Sequence, residues 1–232
     1  MIFDQHFMID NELINRIINY ANISEDDIIL EIGPGTGNLT KELKKKTNNL
    51  ILVEKDETLA DKLKDYNIIK GNILNEISKI KFTKIVANIP YDICEPLLNK
   101  LIKLNFKLAI LTVPKKFSLK IKSNKTVLGL IMPLFFKIDL LEEVPESAFD
   151  PKPKVKSAII KLIPLNKKSI IQEIYLQQDK KLKNALIKSI KRIKKISNKD
   201  IKSPELNFLD KKVYTLNQKE WKELVDTVVV QW

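Results

Sequence analysis

At 232 residues, 44% of them hydrophobic, the chain has material for a sizeable core and is not a disordered polymer. With Cys94 as its one cysteine and His6 as its one histidine, an internal disulfide is excluded, no metal site is expected, and a reducing cytoplasm is the expected compartment. The formal charge is +12, of which residues 166–232 carry +8 (16 Lys/Arg against 8 Asp/Glu), a balance that suits a polyphosphate partner although lysine is common throughout.

The N-terminus lacks the basic and apolar regions of a signal peptide. In chain order, Asp10 to Ala21 places Leu13, Ile14, Ile17 and Ile18 at helical spacing. Ile28 to Ile32 is a short apolar run closed by Gly33, the pattern of a buried strand, and Thr40 to Lys46 reads as the helix after it. Further strands are expected at Leu50–Val53, Tyr66–Lys70, Lys84–Ala87 and Lys107–Val113, with a helix over Pro96–Leu104 before the last of these. This alternation predicts βαβ units and a parallel sheet. The pattern changes after Pro114. Leu128 to Val144 and Ser157 to Ile163 both have strand character, and the proline-rich link Pro145–Val155 is too short for a crossover helix, so an antiparallel ending is expected. The longest apolar stretch, Val127–Phe136, is interrupted by Pro133 and falls short of the roughly 20 residues that span a bilayer, so no membrane partner is expected. From Asn166 the composition turns to a Lys/Gln/Asn-rich helical pattern with a stripe of Leu182, Leu186, Ile190 and Ile193. The expected organisation is a catalytic domain over 1–165 and a small basic helical domain over 166–232.

Gly33-x-Gly35-x-Gly37 stands between a predicted strand and a predicted helix, where glycines allow a tight turn and close approach of the backbone to a ligand. A dinucleotide loop would have its third glycine at position 38, which is Asn38, so a ligand without a pyrophosphate is preferred. Glu54 ends the second strand, where a carboxylate can accept both ribose hydroxyls of an adenosine. Asn72, after the third strand, offers a donor and an acceptor to an adenine edge, although such a residue is more often a turn former. S-adenosylmethionine, with ribose and adenine but no phosphate, fits this set better than a nicotinamide dinucleotide.

Asn88-Ile89-Pro90-Tyr91 closes the fourth strand. The exocyclic amine of adenine is a poor nucleophile because its lone pair is delocalised into the ring. The Asn88 oxygen and the Ile89 carbonyl can accept its two protons and aim the nitrogen, Pro90 fixes the turn, and Tyr91 supplies a stacking face. That is catalysis by positioning and electrostatics, without a strong base. Phe149, in a rigid proline-flanked segment, is expected opposite Tyr91 to sandwich a flipped base. The bland alternatives are a strand-terminating turn with a half-buried tyrosine, and a hydrophobic plug in a proline loop.

Gln5-His6-Phe7-Met8, the run Glu31 to Thr40, Asn88-Ile89-Pro90-Tyr91 and Pro145 to Val155 together resemble, in order and spacing, the KsgA-type ribosomal RNA adenine N6,N6-dimethyltransferases. The resemblance implies an α/β, Rossmann-like methyltransferase sheet, mostly parallel with an antiparallel last strand, and a small helical C-terminal domain. It implies S-adenosylmethionine bound by Gln5, His6, Met8, Gly33, Gly35, Glu54, Asn72 and Asn88, and a target base handled by Asn88, Ile89, Pro90, Tyr91 and Phe149. It also implies dimethylation of two adjacent adenosines near the 3′ end of small-subunit rRNA, by a cytoplasmic monomer acting on an immature subunit. Position 72 is Asn where the family usually has Asp, and Lys122 to Leu130 lacks the family's arginine. The rivals are an erythromycin-resistance-type methyltransferase of large-subunit rRNA and a non-catalytic ribosome-assembly factor; the intact tetrapeptide disfavours the latter.

Overall fold

The computed structural model describes residues 5–165, 169–195 and 204–231. Parts of the expected helical domain (166–168, 196–203 and 232) lie outside the described residues. A short strand β1 (Phe7–Met8) leads into α1 (Asn11–Ala21). Asp10 starts that helix by accepting the Leu13 N–H at 3.0 Å, and the apolar face of α1 is buried, as its spacing predicts. There follow β2 (Ile29–Ile32), α2 (Asn38–Lys44), β3 (Leu50–Glu54), α3 (Glu57–Lys62), β4 (Ile68–Lys70), α4 (Ile73–Glu76), β5 (Lys84–Asn88), α5 (Cys94–Leu101) and β6 (Leu108–Pro114). The short helices α3 and α4 escape a periodicity reading because each spans fewer than two turns; their caps, Asp56 and Asn72, are their clearest local signals.

After β6 come α6 (Lys115–Lys120), α7 (Val127–Phe135), β7 (Phe136–Val144), β8 (Phe149–Asp150) and β9 (Ser157–Pro164). Only the second half of the expected Leu128–Val144 strand is a strand. The first half is helical: the Thr126 side chain caps it by accepting the Gly129 N–H at 3.0 Å, and a run that is apolar on every side carries no period to separate the two states. Pro133 sits inside this helix, which ends two residues later.

The seven-stranded sheet has the order β4-β3-β2-β5-β6-β9-β7. The pairs β3–β4, β2–β3, β2–β5 and β5–β6 are parallel, whereas β9 is antiparallel to β6, as expected. The apolar side of α1 packs on β5 and β6, and its leucine and isoleucines join Leu52, Val86, Ile110 and Ile159 in one core. At the amino ends of the strands lies an ion network. Asp27, fully buried, accepts from Lys84 at 2.6 Å, Lys107 at 3.1 Å and Ser24 Oγ at 2.7 Å. Burial pushes its carboxyl up, but the hydrogen bonds from Lys84, Ser24 and Lys107 outweigh that and hold it well below the usual carboxylate range. The opposite, carboxyl ends of the strands are thereby left for chemistry, where open α/β sheets place their ligands.

The chain divides into two compact units: the described residues up to Leu119 with Lys137–Pro164, and Lys120–Phe136 with those from Leu165 onward. The passage at Pro164 falls beside the expected boundary, but the second unit also takes in a segment from the middle of the chain. Its reason is packing: α8 (Ile170–Tyr175) and α10 (Gln218–Gln231) both pack on α7, the Leu165 N–H donates to the Phe135 carbonyl at 2.8 Å, and Gln172 Nε2 donates to the Leu134 carbonyl. Tyr175 lies between Phe135 and Trp221, with ring centroids 5.9 and 5.7 Å away. In α9 (Leu182–Lys194) the stripe buries Leu182, Leu186 and Ile190 while Ile193 is partly exposed, and Lys183, Lys188, Lys191 and Lys194 face solvent.

Candidate active site

A cavity of about 500 Å³ opens at the carboxyl ends of β2, β3 and β5. That is within the usual range for a small-molecule site. The glycine loop forms its floor. Gly35 has φ +56°, and a Cβ there would stand 2.6 Å from the Phe7 ring, so both backbone conformation and contact require glycine. Its N–H donates to Glu54 Oε2 at 3.1 Å, and Asp56 N donates to Oε1 at 2.9 Å. Buried and held by one backbone donor on each oxygen, the Glu54 carboxylate keeps one further acceptor position per oxygen, the capacity a vicinal diol needs.

The N-terminal segment forms one wall, and its placement is tertiary. The Met8 carbonyl accepts from Asn38 Nδ2 at 2.8 Å, so the residue standing where a dinucleotide loop has glycine fastens β1 to the loop. The His6 carbonyl accepts from Asn88 Nδ2 at 3.0 Å, His6 Nδ1 lies 2.7 Å from the Pro151 carbonyl, and Gln5 Nε2 reaches Asp56 Oδ2 at 3.4 Å. Gln5, His6 and Met8 all line the cavity. Asn72 lines it too, but its Oδ1 already accepts the Leu74 N–H at 3.0 Å as the cap of α4, so the turn-forming role is filled.

Asn88 is the centre of the arrangement. The bond to His6 fixes which end of its amide is nitrogen, and the opposite atom, Oδ1, is buried with no hydrogen-bond partner. A buried acceptor without a donor costs about 1–3 kcal/mol, and because Asn88 lines the cavity, a ligand N–H that reached this oxygen would relieve that cost. Ile89 donates its N–H to the Thr112 carbonyl at 3.0 Å, Pro90 lies over Gly33, and Tyr91 begins a one-turn 3-10 segment, Tyr91–Ile93, its ring centroid 5.9 Å from that of His6. Gly33, Ile89, Pro90 and Tyr91 line the cavity with Asn88.

Phe149 is the exception. Its ring is 1% exposed and lies in the core cluster with Met8, Leu13 and Val144, outside the cavity lining. The expected sandwich with Tyr91 is not formed. β8 pairs antiparallel with β1, Met8 opposite Phe149, and burying a phenyl ring in that core is worth about 1.5–3 kcal/mol relative to exposing it. The ring beside Tyr91 is that of His6.

Sequence reading passed over Glu31. It is fully buried in β2, lines the cavity, and has Oε2 without a partner; burial, reinforced by the Glu54 charge and opposed by Thr40, pushes its carboxyl up to about 8. The available signal was an acidic residue inside the apolar run Ile28 to Ile32.

The family model for ribosomal RNA adenine dimethylase matches residues 1–214. The chain belongs to that family. It is 32% identical to the probable ribosomal RNA small subunit methyltransferase A of Methanococcoides burtonii, over 97% of this chain and 92% of the relative. The corresponding protein of Methanosphaera stadtmanae is 34% identical over 95% of this chain and 90% of its own. Among solved structures, a dimethyladenosine transferase from Plasmodium falciparum superposes with a TM-score of 0.69 at 28% identity, covering 96% of this chain and 97% of that one. The 23S rRNA methyltransferase ErmE superposes with a TM-score of 0.62 at 20% identity, covering 96% and 99%, which shows the shared fold alone. The chain is thus a member of a methyltransferase family with the Rossmann-like fold its strand pattern predicts.

Proposed function

We propose that the protein transfers methyl groups from S-adenosylmethionine to the N6 amines of two adjacent adenosines near the 3′ end of small-subunit rRNA, during ribosome biogenesis. The observation that carries this reading is Asn88, whose buried Oδ1 has no hydrogen-bond partner and which lines one cavity with the glycine loop and Glu54. The residues present fit the donor: the spare acceptor positions of Glu54 suit its ribose hydroxyls, and Gly33 and Gly35 line the same cavity. When bound, S-adenosylmethionine supplies an electrophilic methyl group on a sulfonium.

The chain's own residues supply orientation. Asn88 Oδ1 and the Ile89 carbonyl accept the two N–H bonds of the target amine and turn the nitrogen lone pair toward the methyl. Tyr91 presents a face to the unstacked purine, and Pro90 holds the turn that separates the two jobs. In this reading the exposed lysines of α9 grip the RNA backbone, and Lys188 beside Lys180 lowers the latter's pKa, a sign of concentrated positive charge. The protein acts as a monomer on immature subunits in the cytoplasm; among the described residues no helix is long and apolar enough to cross a membrane.

The test is methyl transfer from radiolabelled S-adenosylmethionine to unmethylated small and large ribosomal subunits, with the product nucleosides identified by mass spectrometry. Dimethyladenosine on small subunits is expected. Label confined to large subunits would transfer the reading to the erythromycin-resistance type, and binding without label would leave an assembly factor.

A further inference from the structure

We infer that Ser157 is a positioning residue for methyl transfer, acting through Tyr91; this rests on the function proposed above. The Tyr91 hydroxyl and Ser157 Oγ lie 2.5 Å apart, within hydrogen-bond distance, and Ser157 is fully buried while Tyr91 is half-buried. Tyr91 stands on a 3-10 turn with no side-chain cap. A tyrosine side chain has two soft torsions, and a hydrogen bond at its far end restricts both. The ring that faces the cavity is thus held at its tip by a residue 66 positions away in sequence.

The fold explains how Ser157 arrives there. It is the first residue of β9 and lies in register opposite Pro114, the last residue of β6, while Asn88 lies opposite Thr112 on the other side of β6. Because β9 runs antiparallel to β6, its beginning falls at the carboxyl ends of β5 and β6, where the tetrapeptide ends. A parallel strand in that slot would bring its last residue instead. The inverted strand therefore delivers a hydroxyl to the site, and the same loop that precedes it carries Pro151, whose carbonyl meets His6. The connection and the first residue of the strand after it thus each meet an aromatic residue of the cavity lining.

The consequence concerns the second transfer most. A monomethylated amine is bulkier than the first acceptor and leaves less room for misalignment between Tyr91 and Asn88. Where rate depends on positioning, an error of 1 Å costs up to about a hundredfold. The experiment compares wild type, Ser157→Ala, Tyr91→Phe, the double variant and Ser157→Thr on unmethylated small subunits, measuring kcat, affinity for S-adenosylmethionine, and the ratio of monomethyl- to dimethyladenosine. Each single removal of a hydroxyl is expected to lower kcat about tenfold, to raise the monomethyl fraction and to leave cofactor affinity unchanged. The double variant should be no slower than the slower single one, and Ser157→Thr should recover activity. Tyr91→Phe breaks the same bond without altering the strand, so the inference stays testable if Ser157→Ala folds poorly. Wild-type kinetics in Tyr91→Phe, or losses that multiply in the double variant, would overturn it. A wild type that transfers no methyl defeats the proposed function, whereas an active wild type with unchanged single variants defeats the Ser157 inference alone.

Discussion

Replacing Asn88 by alanine separates its chemical role from its structural one, because the two differ in scale. In the folded protein the side chain makes one bond, Nδ2 to the His6 carbonyl at 3.0 Å, and leaves Oδ1 buried without a partner. Truncation unpairs the His6 carbonyl at a cost of about 1–2 kcal/mol, and it removes a desolvated oxygen, which offsets part of that. For a chain of this length each kcal/mol moves Tm by roughly 2–4 °C, so thermal unfolding should shift by no more than about 8 °C, and by less to the extent of that offset. The loss of the acceptor proposed to aim the amine is of another order. Removing one preorganised polar group from a transition state costs roughly 100- to 1,000-fold in kcat. The assay is methyl transfer to small subunits at saturating cofactor, with rRNA binding followed by filter retention and unfolding by fluorimetry. Binding and fold should survive while turnover collapses. Turnover near that of the wild type would refute the role assigned to Oδ1.

Three other outcomes follow from the same geometry. Glu31 is held protonated to about pH 8 in the fold but ionises near 4.5 when unfolded, so the native state carries the extra proton between those values and loses stability as pH rises through them. Tm measured from pH 5 to 8 should fall more steeply for the wild type than for Glu31→Gln, and parallel curves would contradict the burial argument. Asp27→Asn strips the charge that faces Lys84 and Lys107, and breaking a buried pair costs about 3–5 kcal/mol; a large drop in Tm with unchanged turnover per folded molecule is expected, and an unaltered Tm would show the network to be incidental. Replacing Lys188, Lys191 and Lys194 with glutamine should flatten the salt dependence of RNA binding by about one unit in log–log slope for each phosphate no longer neutralised, and an unchanged slope would mark α9 as ordinary solvated surface.

Local pattern determined much of this protein. The spacing of Leu13, Ile14, Ile17 and Ile18, the short runs closed by Gly33 and Glu54, and the Asn88–Tyr91 turn each report their conformation through residues a few positions apart, so α1, the parallel strands and the two halves of the site were legible before any fold was in view. What only the tertiary structure decided involves partners distant in sequence. Val127–Phe135 is a helix because it packs with α8 and α10, and an all-apolar run is silent about that. Phe149 turned into the core because β8 pairs with β1, a choice made by Met8 at the far end of the chain. Glu31 acquired its raised pKa from burial beside Glu54, and Ser157 met Tyr91 because β9 is inverted. Charge, burial and hydroxyl pairing are properties of an environment, and an environment comes into being only when the chain has closed upon itself.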